Sequence, residues 1–493
     1  MSHQGGDDEE DIYESEPQGQ ASMESSIANL CNTIIGTGML ATPGAFRFLG
    51  LLPGVFLLIL CGFTALTGLV FLTLCADTLG GRKHSFNSIA MHTLPRGARL
   101  FDAAIAVKCY GVSISYLIIC GQLMPQVITS FAKALDRHDQ LSPFLLDRSF
   151  WIFAAMTLLS PLCFLRRLDS LRHTSYLSLI AVFYLVIIVI FYTIPAKRSH
   201  LPTPGPIYLI HLDGHHILSI FPVFIFAFTC AQNMLPVHNE IASRKATHFV
   251  TTRKAIFTSI TLAGSIYLLV GVLGYLSFGE KVGTNIITMY PSTSLFVCIG
   301  RLSIVVLTLC SYPLQVHPCR AAFDKVFSLQ STLATENSQE GQRSSIYQDQ
   351  TSNEEEDALV FNNESNQEAA AAAAATSQVS ITSRRLEEMS NQKLCILTGL
   401  ILISTFIVAL CVDDLGLILG FVGSVGSTSI SFILPGILFS SLHKTGHRSQ
   451  LRRRAQILAL YGCIVMVVCL AANIVKVYKS IGNSNVVLPI ILD

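Results

Sequence analysis

Residues 32 to 46 read NTIIGTGMLATPGAF, and the chemistry they offer is that of released backbone. Gly36, Thr37 and Gly38 sit in the middle of an apolar run from about Ser26 to Phe48, and Pro43 follows closely. A helix interior loses roughly 1 kcal/mol for each glycine relative to alanine, and more for a proline. At membrane depth, broken backbone persists only where protein buries it or where it lines a cavity. Such a break leaves N–H groups unpaired at the start of the second half-helix, where the helix dipole favours an anion. A carboxylate suits that place. Thr33, Gly36, Thr37 and Gly38 are the candidate contacts, the two glycines because they let backbone approach a ligand without a Cβ in the way.

A second apolar run is interrupted in the same manner. FIFAFTCAQNMLPVHNEI, from Phe224 to Ile241, meets Thr229, Cys230, Ala231, Gln232 and Asn233 and then Pro236. Carbonyls released near Phe228 and Thr229 would accept from an ammonium, and Asn233 adds a polar side chain. One Gly-x-Gly alone serves close helix packing more often than a ligand. A matched pair of interrupted helices, five spans apart, is the pattern of a secondary transporter built from inverted repeats.

Other residues are weaker candidates. Tyr116 could close over a ligand or be a core tyrosine with a satisfied hydroxyl. Ser311 and Tyr312 precede Pro313, which would loosen the eighth run. His238 and Glu240 end the sixth run and are candidates for coupling or gating. The blander alternatives are an interfacial histidine and a glutamate paired with a nearby basic residue. Lys108 and Arg301 fall near the ends of their runs, where long basic side chains reach headgroups. No HExxH, GxSxG or Walker A pattern occurs, so a membrane enzyme is not expected, and no catalytic residue is nominated. No metal spacing, cofactor motif or nucleic-acid signature stands out either.

These residues need a membrane scaffold. Of 493 residues, 51% are hydrophobic and only 13% charged, and mean hydropathy is +0.53. A soluble domain carries about 25% charged residues. The 14 cysteines sit singly, mostly within apolar runs, and read as reduced apolar residues rather than a disulfide framework. Apolar runs fall at about 26–48, 53–77, 101–132, 150–164, 174–194, 218–237, 255–278, 294–319, 394–412, 415–441 and 455–478. The expected fold is therefore an all-α polytopic membrane protein of eleven transmembrane helices, a 5+5 inverted repeat plus one helix, with helices 1 and 6 broken.

Connections on the N-terminal side hold most of the lysine and arginine, among them Arg82, Lys83, Arg166, Arg167, Arg244, Lys245 and Arg452 to Arg454. The positive-inside rule then sets the N-terminus in the cytosol. Residues 1–23 form an acidic cytosolic tail and 324–392 a low-complexity loop, both expected to be disordered. Spans occupy 24–323 and 393–479, and 480–493 lie on the far side. In the tenth span Gly420, Gly423, Gly426 and Gly436, among several serines, read as a close helix–helix contact.

NTIIGTGMLATPGAF, GVSISYLIICGQLMP at 111–125, FAFTCAQNMLPVHNE at 226–240, SYPLQVHPCR at 311–320 and FVGSVGSTSISFILPG at 421–436 together resemble the amino acid/auxin permease family, in particular its fungal vacuolar members. The resemblance covers nearly all of 24–478. It implies a LeuT-like fold, secondary transport of amino acids with H+ as the coupling ion, and residence in a vacuolar membrane, with the plasma membrane as the alternative. Similar proteins often carry an acidic residue in the third span where this chain has Gln122. Neutral substrates are expected, because no extra charge is evident near the breaks. The rival function is an amino acid sensor with a transporter fold, signalling through its cytosolic segments. Protein partners of the loop are not identifiable; the bilayer and a small amino acid are the partners implied.

Overall fold

The computed structural model describes residues 21–81, 84–94, 97–136, 142–165, 174–198, 201–211, 214–243, 247–350, 390–443 and 449–483. The acidic tail before Ala21, the loop over 351–389 and the residues after Asn483 lie outside these. So do Arg244 and Lys245, the basic neighbours of Glu240.

Every named element is helical; β pairing among the described residues is limited to an isolated bridge between Ala21 and Ile241. In chain order the main helices are α1 (Met23–Ile34), α2 (Thr37–Phe46), α3 (Leu51–Leu79), α4 (Phe86–Thr93) and α5 (Ala98–Ala134). Next come α6 (Arg148–Cys163), α7 (Thr174–Thr193), α8 (Gly214–Ala227), α9 (Ala231–Glu240) and α10 (His248–Phe278). The last are α11 (Leu295–Gln350), α12 (Asn391–Cys411), α13 (Leu415–Val422), α14 (Leu434–Leu442) and α15 (Ser449–Asn483). Among the described residues, eight helical stretches are long and apolar enough to cross a membrane, and α6 and α7 supply shorter apolar ones. Helix α11 runs on to Gln350, so residues 324–350 are helical.

Local chemistry sets several boundaries. Ser22 caps α1 by accepting the N–H of Ser25 at 3.1 Å. Gly50 turns the chain from α2 into α3 at φ +77°, with the backbone of His211 where a Cβ would stand. Asp414 starts α13 by accepting the Gly416 N–H at 2.9 Å. Between α13 and α14, residues 423–427 and 429–433 form wide π-helical turns. Here the sequence reading of close packing holds. A Cβ on Gly423 would strike the Pro222 carbonyl, one on Gly426 the backbone of Lys108, and one on Gly436 the Ala455 carbonyl.

The core is a continuous apolar interior, with α5 packed along α11, α2 on α8 and α10, and α13 on α8 and α5. All 14 cysteines are free. Large apolar side chains such as Phe56, Phe63, Phe153, Ile403 and Val467 face outward, as a lipid-facing surface requires.

Candidate functional site

Ile35 and Gly36 separate α1 from α2; Phe228, Thr229 and Cys230 separate α8 from α9. The two gaps lie side by side and open on one cavity of about 560 Å³, which has room for a small ligand. Eight of the nominated residues line it: Thr33, Gly36, Thr37, Gly38, Tyr116, Thr229, Asn233 and Ser311. Thr33 Oγ1 accepts a hydrogen bond from Asn233 Nδ2 at 2.6 Å, so the first gap is tied to the second through two of the predicted residues. Tyr116 of α5 and Ser311 and Gln315 of α11 line the same cavity.

The two glycines do different work. A Cβ on Gly36 would meet nothing within 4 Å, so this position presents bare backbone to open space. A Cβ on Gly38 would come within 2.8 Å of Ala227 Cα, so Gly38 is small because α2 packs on α8. The close approach expected at both positions is therefore available to a ligand at Gly36, while at Gly38 a neighbouring helix takes it.

Four nominated residues do not line the cavity. Phe228 is buried between α3 and α10, edge-on to Tyr267 with ring centroids 5.3 Å apart, against Gly62 and Gly264. Its aromatic bulk follows the apolar side of α8, so its backbone alone belongs to the gap. Tyr312 is fully buried and shares a hydrogen bond of 2.8 Å with Thr405 of α12. His238 lies against His248, the rings tilted with centroids 4.3 Å apart, and is 3.3 Å from Thr252 Oγ1. Glu240 ends α9, exposed, and its carbonyl accepts the Ala21 N–H at 2.9 Å.

Sequence reading missed Tyr267. Its hydroxyl lies 2.5 Å from the Ile34 carbonyl and 2.9 Å from the Ala227 carbonyl, the last residues of α1 and α8. One buried phenol proton is thus shared between the ends of both half-helices, which otherwise carry orphan acceptors. Nothing near Tyr267 in the sequence marks it, because its partners stand 233 and 40 residues away in different helices.

The two charges assigned to headgroup reach are also placed otherwise. Arg301 is fully buried, and its guanidinium donates to the carbonyls of Tyr290 at 2.6 Å and Ile287 at 3.3 Å. Lys108 stands ten residues into α5, about 15 Å from its start, and lines the cavity. Asp102 lines it too. The premise that no charge lies near the gaps fails at Lys108, because α5 begins before the apolar run, at Ala98, and carries that residue inward.

The cavity extends from the gaps to one end of the bundle, marked by His84, Asp102 and Lys325. The other end is sealed. Gln122 donates through Nε2 to the Asp413 carbonyl at 2.7 Å and accepts from Asn285 Nδ2 at 3.0 Å. Arg148 pairs with Asp413 at 2.6 Å and donates to the Ala409 and Val412 carbonyls, while Lys476 pairs with Asp414 at 3.2 Å. An amide can donate and accept at once, which is the physical reason a glutamine serves at 122 where an ionised acid would not.

The architecture has a known counterpart. An inward-facing structure of Mhp1 superposes with a TM-score of 0.52, over 95% of this chain and 94% of that one, at 11% identity. At that identity the likeness is one of fold. Curated relatives span nearly the whole chain. "Vacuolar amino acid transporter 5" of Schizosaccharomyces pombe is 40% identical over 468 residues, covering 93% of this chain and 96% of that protein. "Vacuolar amino acid transporter 6" of Saccharomyces cerevisiae is 32% identical over 92% of this chain and 98% of its own length. The human "Sodium-coupled neutral amino acid transporter 7" is 29% identical over 62% of this chain and 64% of that protein. The family model "Transmembrane amino acid transporter protein" matches residues 19–479, and the chain belongs to that family.

Proposed function

We propose that this chain is a proton-linked secondary carrier that moves neutral amino acids across the vacuolar membrane toward the cytosol. The observation that carries the reading is the junction of the two gaps at Thr33 and Asn233, opening on a cavity sized for an amino acid. Free N–H groups at the start of α2 receive the carboxylate, with the bare backbone of Gly36 giving access. Carbonyls of Phe228 and Thr229 in the second gap receive the ammonium. The scaffold is eleven spans: α1 with α2 as a broken first, α8 with α9 as a broken sixth, and two inverted sets of five followed by α15.

The lysine and arginine distribution supports a cytosolic N-terminus. The mouth at His84, Asp102 and Lys325 then faces the cytosol, and the sealed end with Gln122 and Asp413 faces the lumen. Names of the relatives support amino acids as substrates, the human one naming neutral amino acids, and the vacuole as location. The test is uptake of a radiolabelled amino acid mixture by proteoliposomes, with and without an imposed pH gradient. Gradient-stimulated uptake, competed by neutral amino acids, is expected. Protein that binds amino acids but transports none would instead be a sensor.

A further inference from the structure

Lys108 carries an ammonium group at membrane depth with no hydrogen-bond or ion-pair partner among the described residues. Only 5% of the residue is exposed, and that exposure is onto the cavity. Its helix turn is pressed against the π-helical stretch of the tenth span, where a Cβ on Gly426 would come 2.8 Å from the Lys108 Cβ. Isolated charges of this kind are costly inside a membrane protein and are kept for a function.

We infer that Lys108 is the group through which proton movement is linked to the amino acid, an inference that rests on the proton-linked carrier proposed above. The surroundings set how this works. On α5 the titratable residues sharing its cavity-facing side are Asp102, Cys109 and Tyr116. Cys230 faces it from the second gap, and Lys325 stands on α11 at the mouth. The stretch 423–433 packed against it holds no ionisable residue. Among the described residues, therefore, no carboxylate forms an ion pair with Lys108.

While the cavity is open, water solvates the ammonium. Closure removes that water, and an uncompensated ammonium then makes the closed state costly. Two routes avoid the cost. Lys108 releases its proton to water before closure, the N–H bond breaking and the amine keeping the electron pair. Alternatively, the carboxylate of a bound amino acid, shared between the N–H groups of α2 and Nζ while the carbonyls of the second gap take the substrate's own ammonium, supplies the missing negative charge, and the site closes with the proton still on Nζ. The empty carrier returns with Lys108 neutral and the loaded carrier crosses with Lys108 protonated, which moves a proton and an amino acid together. Closure around the ammonium without substrate, or around substrate without the proton, is disfavoured.

Purified wild type, Lys108→Met and Lys108→Arg in proteoliposomes enclosing a pH-sensitive dye separate these steps. A guanidinium keeps its proton at every working pH, so Lys108→Arg preserves charge and most of the shape while blocking release. Wild type is expected to show proton flux evoked by substrate and accumulation driven by the pH gradient. In both variants substrate-evoked proton flux should vanish and accumulation should fall to the level seen without a gradient. Melting temperature reports folding, and Lys108→Arg decides the matter if Lys108→Met does not fold. Gradient-driven accumulation and proton flux at wild-type levels in a folded Lys108→Arg would overturn the inference. Absence of substrate-evoked proton flux in wild type would instead refute the proton-linked reading beneath it.

Discussion

Thr33 Oγ1 and Asn233 Nδ2 meet at 2.6 Å across 200 residues of chain, one beside each interruption. Thr33 also donates to the Asn29 carbonyl at 2.9 Å, so its one proton goes to its own helix while its lone pair serves the other. The contact fixes the spacing of the two gaps and leaves the remaining lone pairs and amide proton of Asn233 toward the cavity.

Loss of either partner should therefore be felt by the other. Thr33→Val and Asn233→Leu are each expected to raise the KM for uptake. The double variant should cost less than the sum, by about 0.5–1.5 kcal/mol, the worth of a buried hydrogen bond. A double-mutant cycle on KM measures this; strict additivity would mean the contact does not operate during transport.

Gly36 and Gly38 should separate cleanly. Gly36→Ala adds a methyl to open cavity, so melting temperature should hold while KM shifts. Gly38→Ala drives a methyl into Ala227, and overpacking of this kind typically costs about 1–3 kcal/mol. Thermal unfolding in detergent together with uptake distinguishes a ligand contact from a packing contact.

Tyr267→Phe removes a hydroxyl from between two buried carbonyls and changes little else in shape. Losing the one proton they share should destabilise the protein by about 1–3 kcal/mol. Because Ile34 and Ala227 end the two half-helices at the gaps, affinity should fall along with stability. Unfolding midpoint and substrate binding, measured on the same preparation, test both parts.

The sealed end should respond to protonation in the variant Gln122→Glu. The carboxylate this substitution introduces cannot donate to the Asp413 carbonyl while ionised, whereas its protonated form can. Gln122→Glu should thus weaken the seal at neutral pH and regain it as the pH on that side falls. Labelling of a cysteine placed at Asn285 by a membrane-impermeant thiol reagent, in a background without exposed cysteines, should increase at neutral pH and decline in acid.

The gaps were legible because Gly, Thr and Pro in apolar runs contradict a continuous helix wherever it sits. The close packing between α13 and α14 was legible from its small residues, with Gly423, Gly426 and Gly436 each matched by a neighbour's backbone. What a side chain faces was not. Phe228 and Thr229 are adjacent, yet one packs outward against Gly62 and the other lines the cavity. Lys108 was misplaced by a boundary error: the apolar run begins at 101, but the helix starts at Ala98 and carries the lysine a further turn inward. Tyr267 and Gln122 act through partners distant in sequence, and periodicity along one helix carries no trace of such pairs.

The claim that an amino acid binds where the two gaps meet is tested most directly by equilibrium binding of a radiolabelled amino acid to purified protein. Gly36→Trp fills the cavity at bare backbone, and Gly399→Trp, on α12 where a Cβ also meets nothing within 4 Å, is the matched control. The account predicts that Gly36→Trp loses binding while keeping its melting temperature, and that Gly399→Trp binds as wild type does. Wild-type affinity in a folded Gly36→Trp protein would contradict it.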